Sequence, residues 1–384
     1  MKTSHIVRRV LFRTHWIAGL VAGLVLAAVG TTGALLSFEE EIVAALNPQL
    51  EVVPDGEPMT PDALVAAVRK RFPDRAVAGF AWRGPTRAAE VRFDGGPDAG
   101  SAVIDPYRGT VLPEARGAAA LHAIEQVHRT LAAGPVGKQV VGASTVVLIL
   151  LALTGVYLRW PRRWTSLRTW FLVDTRLRGR AFMWNLHAVV ATWVLPLYLV
   201  AALTGLFWSY ESYRAALFAL AGVEAPAGRG GGPGGPRGPG APPPPPAIPV
   251  SLDASWQVLR SNAAELNGAM VGFPRAPGAP LEWRYITSDS PHPRAMSTLR
   301  TSVEGNVIAH ERYAALPSGR KAMSMIFPLH SGSIAGVPGR AVAAIAALLM
   351  PLFFVTGIWL WMLRRRAARR NSPLVSGEPL RARA

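Results

Sequence analysis

The chain has 384 residues, 50% of them hydrophobic, with 12 Trp and no cysteine. The missing thiols exclude Cys-ligated zinc, iron–sulfur clusters, covalently attached c-type haem, thiol catalysis and disulfides, so any metal must rest on His, Met or oxygen. A formal charge of +17 on so apolar a chain has to be located along the sequence before it can be read as a sign of any partner.

The first apolar run, Trp16–Leu36, is followed by a predicted helix over Pro61–Arg71 and by strand-like stretches at Ala76–Trp82, Ala88–Phe93 and Ser101–Ile104, closed by a turn at DPYRGTVL, 105–112. A second run, Gln139–Leu158, and a third, Leu186–Trp208, flank a short basic loop. A Pro/Gly-rich tract, 226–249, reads as a disordered or polyproline insertion. The helix–strand order then recurs: helix Leu252–Ala264, strands near Ala269–Phe273, Leu281–Thr287 and Met296–Val303, and the closing stretch EGNVIAHE, 304–311. The fourth run is Ala341–Leu363. About 20 helical residues cover the roughly 30 Å hydrocarbon layer, so each of the four runs is long enough to cross a bilayer. The first is read as an uncleaved anchor, because it ends in Ser37-Phe38-Glu39 without a small-residue cleavage pattern.

If the runs alternate in direction, residues 1–13, 159–180 and 364–384 share one side and hold 18 Lys/Arg against 2 Asp/Glu. Residues 37–138 and 209–340 share the other and hold 23 against 22. The excess is thus confined to short flanks such as Arg162-Arg163 and Arg364–Arg366, which is the positive-inside pattern, and both termini are expected in the cytoplasm. Basic residues spread as membrane flanks form no groove for nucleic acid. The expected fold class is membrane α with α+β: four transmembrane helices in two helix–domain–helix repeats. Its segments are 1–37, 38–127, 128–160, 161–184, 185–208, 209–328, 329–363 and 364–384.

Thr-Gly recurs near the end of every run, at Thr32-Gly33, Thr154-Gly155, Thr204-Gly205 and Thr356-Gly357. His15 and His187 each precede their glycine by 18 residues, and His128 and His330 by 27. Gly137-Lys138 and Gly339-Arg340 follow the latter two histidines at the same distance, and Phe38-Glu39 matches Tyr210-Glu211. Four histidines in register therefore belong to an internal repeat. Each alone reads as a half-solvated interfacial side chain; together they read as a site at the membrane edge. His122, His292 and His310 have no counterpart in the other half and are expected at the surface.

His15 and His187 start helices running outward, and His128 and His330 precede helices running inward. Eighteen helical residues cover about 27 Å, so ligation is expected to pair His15 with His187 and His128 with His330. Two histidines give zinc or copper only half a shell, whereas two axial imidazoles suffice for a low-spin haem iron. Gly19, Ala22, Gly23, Leu26 and Gly30 share one face of the first helix; small residues there leave room for a macrocycle, and equally form a G-x-x-x-G packing contact. Arg129, Lys138 and Arg340 outside, and Arg13 inside, are candidate propionate partners, and each also reads as an ordinary flank charge.

The stretches THWIAGLVAGLVLAAVGTTGALLSF (14–38), HRTLAAGPVGKQVVGASTVVLILLALTGVYLRWPRRW (128–164), LHAVVATWVLPLYLVAALTG (186–205) and LHSGSIAGVPGRAVAAIAALLMPLFFVTGIWLWMLRRR (329–366) resemble the PepSY-associated transmembrane family. That family includes iron-regulated membrane proteins and periplasmic ferric-siderophore reductases. The resemblance implies two PepSY-like α+β units in the periplasm and two b-type haems per chain, with His15, His128, His187 and His330 as iron ligands. It implies an inner-membrane oxidoreductase that carries electrons to a periplasmic acceptor such as a ferric siderophore, from a cytoplasmic or membrane donor that the sequence does not name. The rivals are a non-enzymatic PepSY membrane protein that binds or regulates a periplasmic partner, and a metal permease, which the lack of intramembrane carboxylates disfavours.

Overall fold

The computed structural model describes residues 2–95, 99–161, 164–224, 245–263 and 265–370. Arg162-Arg163, most of the Pro/Gly-rich tract and the end of the basic tail lie outside the described residues. In chain order the helices are α1 (Lys2–Leu36), α2 (Glu39–Leu46), α3 (Pro61–Arg71), α4 (Ala118–Thr130), α5 (Gly134–Arg159), α6 (Leu167–Phe171), α7 (Gly179–Ser209), α8 (Glu211–Leu220), α9 (Asp253–Asn262), α10 (Ser318–Ser324), α11 (Ile326–Ser331), α12 (Gly336–Leu348) and α13 (Met350–Arg370). The strands are β1 (Val77–Trp82), β2 (Ala89–Phe93), β3 (Ser101–Ile104), β4 (Leu266–Gly272), β5 (Leu281–Thr287), β6 (Ser297–Thr301) and β7 (Val307–Glu311). The chain divides into two compact units: Met1–Ala34, Val127–Ala202 and Ile345–Ala384 form one, Leu35–Gln126 and Leu203–Ala344 the other.

Four helical segments are long and apolar enough to cross a membrane: His5–Leu36, Gly134–Arg159, Gly179–Ser209 and Ser333–Arg366. Within the first unit, Ala22 and Leu26 of α1 pack with Val194 and Tyr198 of α7 and with Ala346 and Met350. Pro351 has no N–H for the carbonyl four residues back, and the chain breaks between α12 and α13 at that point. Polar backbone exposed by such a break must find partners in the bundle. The Tyr198 hydroxyl donates to the Ala346 carbonyl at 2.8 Å. Gly30 lets α1 approach the Ala347 carbonyl so closely that a Cβ there would lie 2.6 Å from the oxygen.

The second unit is built on one antiparallel sheet of order β3-β2-β1-β4-β5-β6-β7. Its centre is the β1–β4 pair, with Gly79 opposite Gly272 and Phe80 opposite Val271. Strand alternation turns Phe80, Val91, Val271, Trp283 and Leu299 to one face, where Leu64, Val65 and Val68 of α3 and Trp256 and Leu259 of α9 cover them. Phe80, Trp82, Trp256 and Trp283 form an aromatic cluster with ring centroids 5.3–6.4 Å apart, and the Trp283 indole donates to Ser255 Oγ at 3.0 Å. The starts of α3 and α9 cap each other: Asp62 accepts from the Leu252 N–H at 2.8 Å, and Asp253 from the Asp62 N–H at 2.9 Å.

The helix at Pro61–Arg71 and the strands at Ser101–Ile104 and Leu281–Thr287 have the bounds the sequence predicts. The stretch 304–311 does not: Glu304-Gly305-Asn306 turns, with Gly305 at φ 91°, and Val307–Glu311 comes back as β7 beside β6. The stretch 105–112 forms no such strand and is tied back by the bridge between Ile104 and Val111. His292 also departs from expectation, since it is buried, with Nε2 3.1 Å from the Tyr313 hydroxyl and 3.4 Å from Ser324 Oγ. Desolvation by burial pushes its pKa below the usual imidazole range. His310 is half-buried against the Tyr285 hydroxyl at 2.7 Å, and His122 is exposed.

Candidate functional site

All four histidines of the sequence repeat are half-buried, and each faces a threonine of a recurring Thr-Gly pair. In the first unit His15 Nδ1 lies 2.9 Å from Thr154 Oγ1, His187 Nδ1 2.7 Å from Thr356 Oγ1, and His128 Nδ1 3.3 Å from Thr32 Oγ1. In the second, His330 Nδ1 lies 3.0 Å from Thr204 Oγ1. Each bond joins two helices distant in sequence. The glycine after the threonine clears the ring: a Cβ at Gly155 or Gly205 would lie 3.4 Å from Cε1 of His15 or His330, and one at Gly33 2.8 Å from that of His128. Sequence spacing treats Thr-Gly as a register mark; in the structure it is the seat of the imidazole.

The glycine nine residues past His128 and His330 has an equally local cause. A Cβ at Gly137 would collide with the Thr130 carbonyl, and one at Gly339 with the Gly332 carbonyl, in both cases the carbonyl two residues after the histidine. Only glycine lets the following helix close that tightly on the turn. The first of these turns also holds Leu131 at φ 50° and Ala132 at φ 54°, left-handed conformations that side chains other than glycine and asparagine rarely adopt.

His15 and His187 line one cavity of about 1060 Å³ within the first unit, just above the roughly 300–1,000 Å³ usual for small-molecule sites. Its walls are apolar, with Leu148, Leu151, Leu195, Phe353 and Phe354 among them, and Gly19, Gly155 and Gly357 leave it wide. Phe353 stands edge-on to His187 with ring centroids 5.2 Å apart. Arg8, Arg13, Arg159, Arg180, Arg364 and Arg365 also line the cavity. The Arg159 guanidinium gives Nη2 to the Thr169 and Trp170 carbonyls at 2.6 and 2.9 Å, while its buried Nη1 has no hydrogen-bond partner among the described residues. An orphaned cationic N–H beside an apolar, glycine-lined slot with two imidazoles suits a flat macrocycle that carries carboxylates.

The small face of α1 divides between its two readings. Both Gly19 and Gly23 border the cavity, but a Cβ at Gly19 would meet only Leu151, at 3.8 Å, whereas one at Gly23 would lie 2.7 Å from the Phe354 ring. Gly30 is a packing contact, Ala22 is core, and Leu26 both packs in the core and borders the cavity. Among the flank charges, Arg13 lines the cavity, together with Arg159 and Arg180, which the sequence does not single out. Arg340 is committed in the second unit: its guanidinium forks onto Glu41, with one bond of 2.9 Å, and reaches the Ser37 carbonyl at 3.3 Å. That hydrogen bond holds the Glu41 carboxyl below its usual range. Arg129 is exposed and Lys138 half-buried.

Four apolar helices with histidines at their edges, joined to a seven-stranded antiparallel sheet, define a membrane protein with an α+β portion. The chain belongs to the family described as the PepSY-associated TM region, whose model matches residues 12–364. It is also similar to "Uncharacterized protein PA4219" of Pseudomonas aeruginosa, with 38% identity over 87 residues, 22% of this chain and 21% of that protein. The match thus spans about a fifth of the relative's length.

Proposed function

We propose that the protein is an inner-membrane di-haem b oxidoreductase, with both termini cytoplasmic and the sheet portion, two PepSY-like repeats, in the periplasm. It passes electrons from a cytoplasmic or membrane donor to a periplasmic acceptor, a ferric siderophore. The observation that carries the reading is the apolar cavity lined by both His15 and His187 and bordered by Arg159, whose buried Nη1 has no hydrogen-bond partner among the described residues. In that cavity the two imidazoles would hold the iron, the glycines would admit the ring, and Arg159 and Arg13 would bind carboxylates. The second pair, His128 with His330, rests on the sequence repeat. Haem supplies one-electron chemistry when bound. Reduction of the acceptor would release its iron, since hard catecholate and hydroxamate oxygens hold the softer Fe(II) less well.

The test is a reduced-minus-oxidised spectrum of the purified chain with pyridine haemochrome stoichiometry. Two haems b per chain are expected, and one or none would overturn the two-site reading. Dithionite-reduced protein should then be reoxidised by a ferric hydroxamate, with Fe(II) trapped by a ferrous chelator.

A further inference from the structure

The Thr-Gly threonines have a chemical property that packing alone does not require. A threonine hydroxyl has one hydrogen. In Thr154 it is given to the Leu150 carbonyl at 2.7 Å, in Thr356 to the Leu352 carbonyl at 2.7 Å, and in Thr32 to the Ala28 carbonyl at 2.7 Å. With its hydrogen committed to its own helix, the oxygen can only accept from the imidazole, so His15 Nδ1 and His187 Nδ1 carry N–H. His128 reaches the same state by a second route, because its Nδ1 also lies 2.9 Å from the Val29 carbonyl, a group that accepts and never donates. The tautomer is thereby fixed, and the lone pair sits on Nε2.

We infer that the threonines of the Thr-Gly pairs are positioning residues that set the tautomer and donor strength of the four imidazoles toward iron. The inference rests on the haem reading above. The Thr154, Thr356 and Thr32 hydroxyls are relays in the chain N–H···O–H···O=C, whose members polarise one another; Thr204 is assigned the same role from its contact with His330. A hydrogen bond accepted from Nδ1 orients the ring and makes Nε2 a stronger donor, which favours the ferric state. The threonine facing each histidine lies on a different helix, so the bond also ties ligand orientation to helix packing.

Valine keeps the shape of threonine and removes the acceptor. Thr154→Val and Thr356→Val should each weaken retention of the same haem, the one held by His15 and His187, by roughly 10-fold or more, and raise its midpoint potential. Thr204→Val should act on the other haem. Thr32→Val should be the mildest of the four, because the Val29 carbonyl still accepts from His128. Serine at any of these positions should restore wild-type values. The readouts are haem content per chain and potentiometric titration of each spectral component, on protein that elutes as a single species. Wild-type protein with two haems, and Thr154→Val and Thr356→Val forms with unchanged content and potential, would overturn this inference alone. Wild-type protein that holds no haem would overturn the parent reading and this one together.

Discussion

The membrane unit and the sheet unit satisfy their buried polar groups in opposite ways. In the sheet unit the backbone forms ladder bonds between seven strands, and further donors find partners at helix starts, as where Asp62 and Asp253 exchange caps. In the membrane unit the backbone closes on itself within each helix, and side chains bridge between helices through a few fixed points: histidine on threonine, and Tyr198 on the Ala346 carbonyl. The sheet unit therefore spreads its specificity over many alternating positions. Among the described residues the bundle concentrates it in a few such contacts, and those made by His15, His187 and Tyr198 lie at the candidate cavity.

The largest effect that this contrast predicts falls on the bundle. His15→Ala and His187→Ala should each remove one and the same spectral component entirely, because both rings line one cavity, and should leave the component assigned to His128 and His330. Loss of different components by the two variants would break the pairing. Neither change should alter the near-ultraviolet circular dichroism of the tryptophans in the sheet.

How far each half of the comparison could be read beforehand follows from the same chemistry. The four spans are legible because a helix in lipid must be apolar on every side, though α1 begins at Lys2 rather than Trp16, since helix propensity does not stop where hydropathy does. The histidines were legible because they repeat. Their threonines were visible only as a repeat, because a hydroxyl returned to its own helix leaves no mark in a hydropathy pattern. Arg159 read as one more flank charge, and only its orphaned Nη1 separates it from its neighbours. In the sheet unit the strands that alternate cleanly were legible, while β7, with exposed Val307 and Ile308 at its start, was not. His292 is buried by Tyr313 and Ser324, partners that no local window around it contains.

A mid-sized effect belongs to the sheet core. Trp283 is fully buried among Phe80 and Trp256 and carries the indole bond to Ser255. Trp283→Ala should cost about 3–5 kcal/mol from lost burial and the cavity left behind, read as a lowered denaturant midpoint for tryptophan fluorescence. Trp283→Phe should recover most of that. If the two units keep separate accounts of stability, haem content should survive the alanine change under native conditions, and a parallel loss of haem would show that they unfold as one.

The smallest effect is acidic destabilisation of the sheet unit. Asp94 accepts from Arg275 at 2.8 Å and from the Ala247 N–H at 2.8 Å. The Arg275 hydrogen bond, with the backbone bond after it, holds its carboxyl below the usual aspartate range. A carboxyl whose pKa is lower folded than unfolded contributes stability in full above its unfolded value of about 4, and that contribution is lost as pH falls through the folded value. The pair is partly open to solvent, so the contribution is on the order of 1 kcal/mol. Thermal melts between about pH 5 and pH 2 should therefore show a steeper fall for wild type than for Asp94→Asn, which has no carboxylate to protonate. Equal slopes would mean that the Asp94–Arg275 contact stabilises the edge of β2 through geometry alone, without its charge.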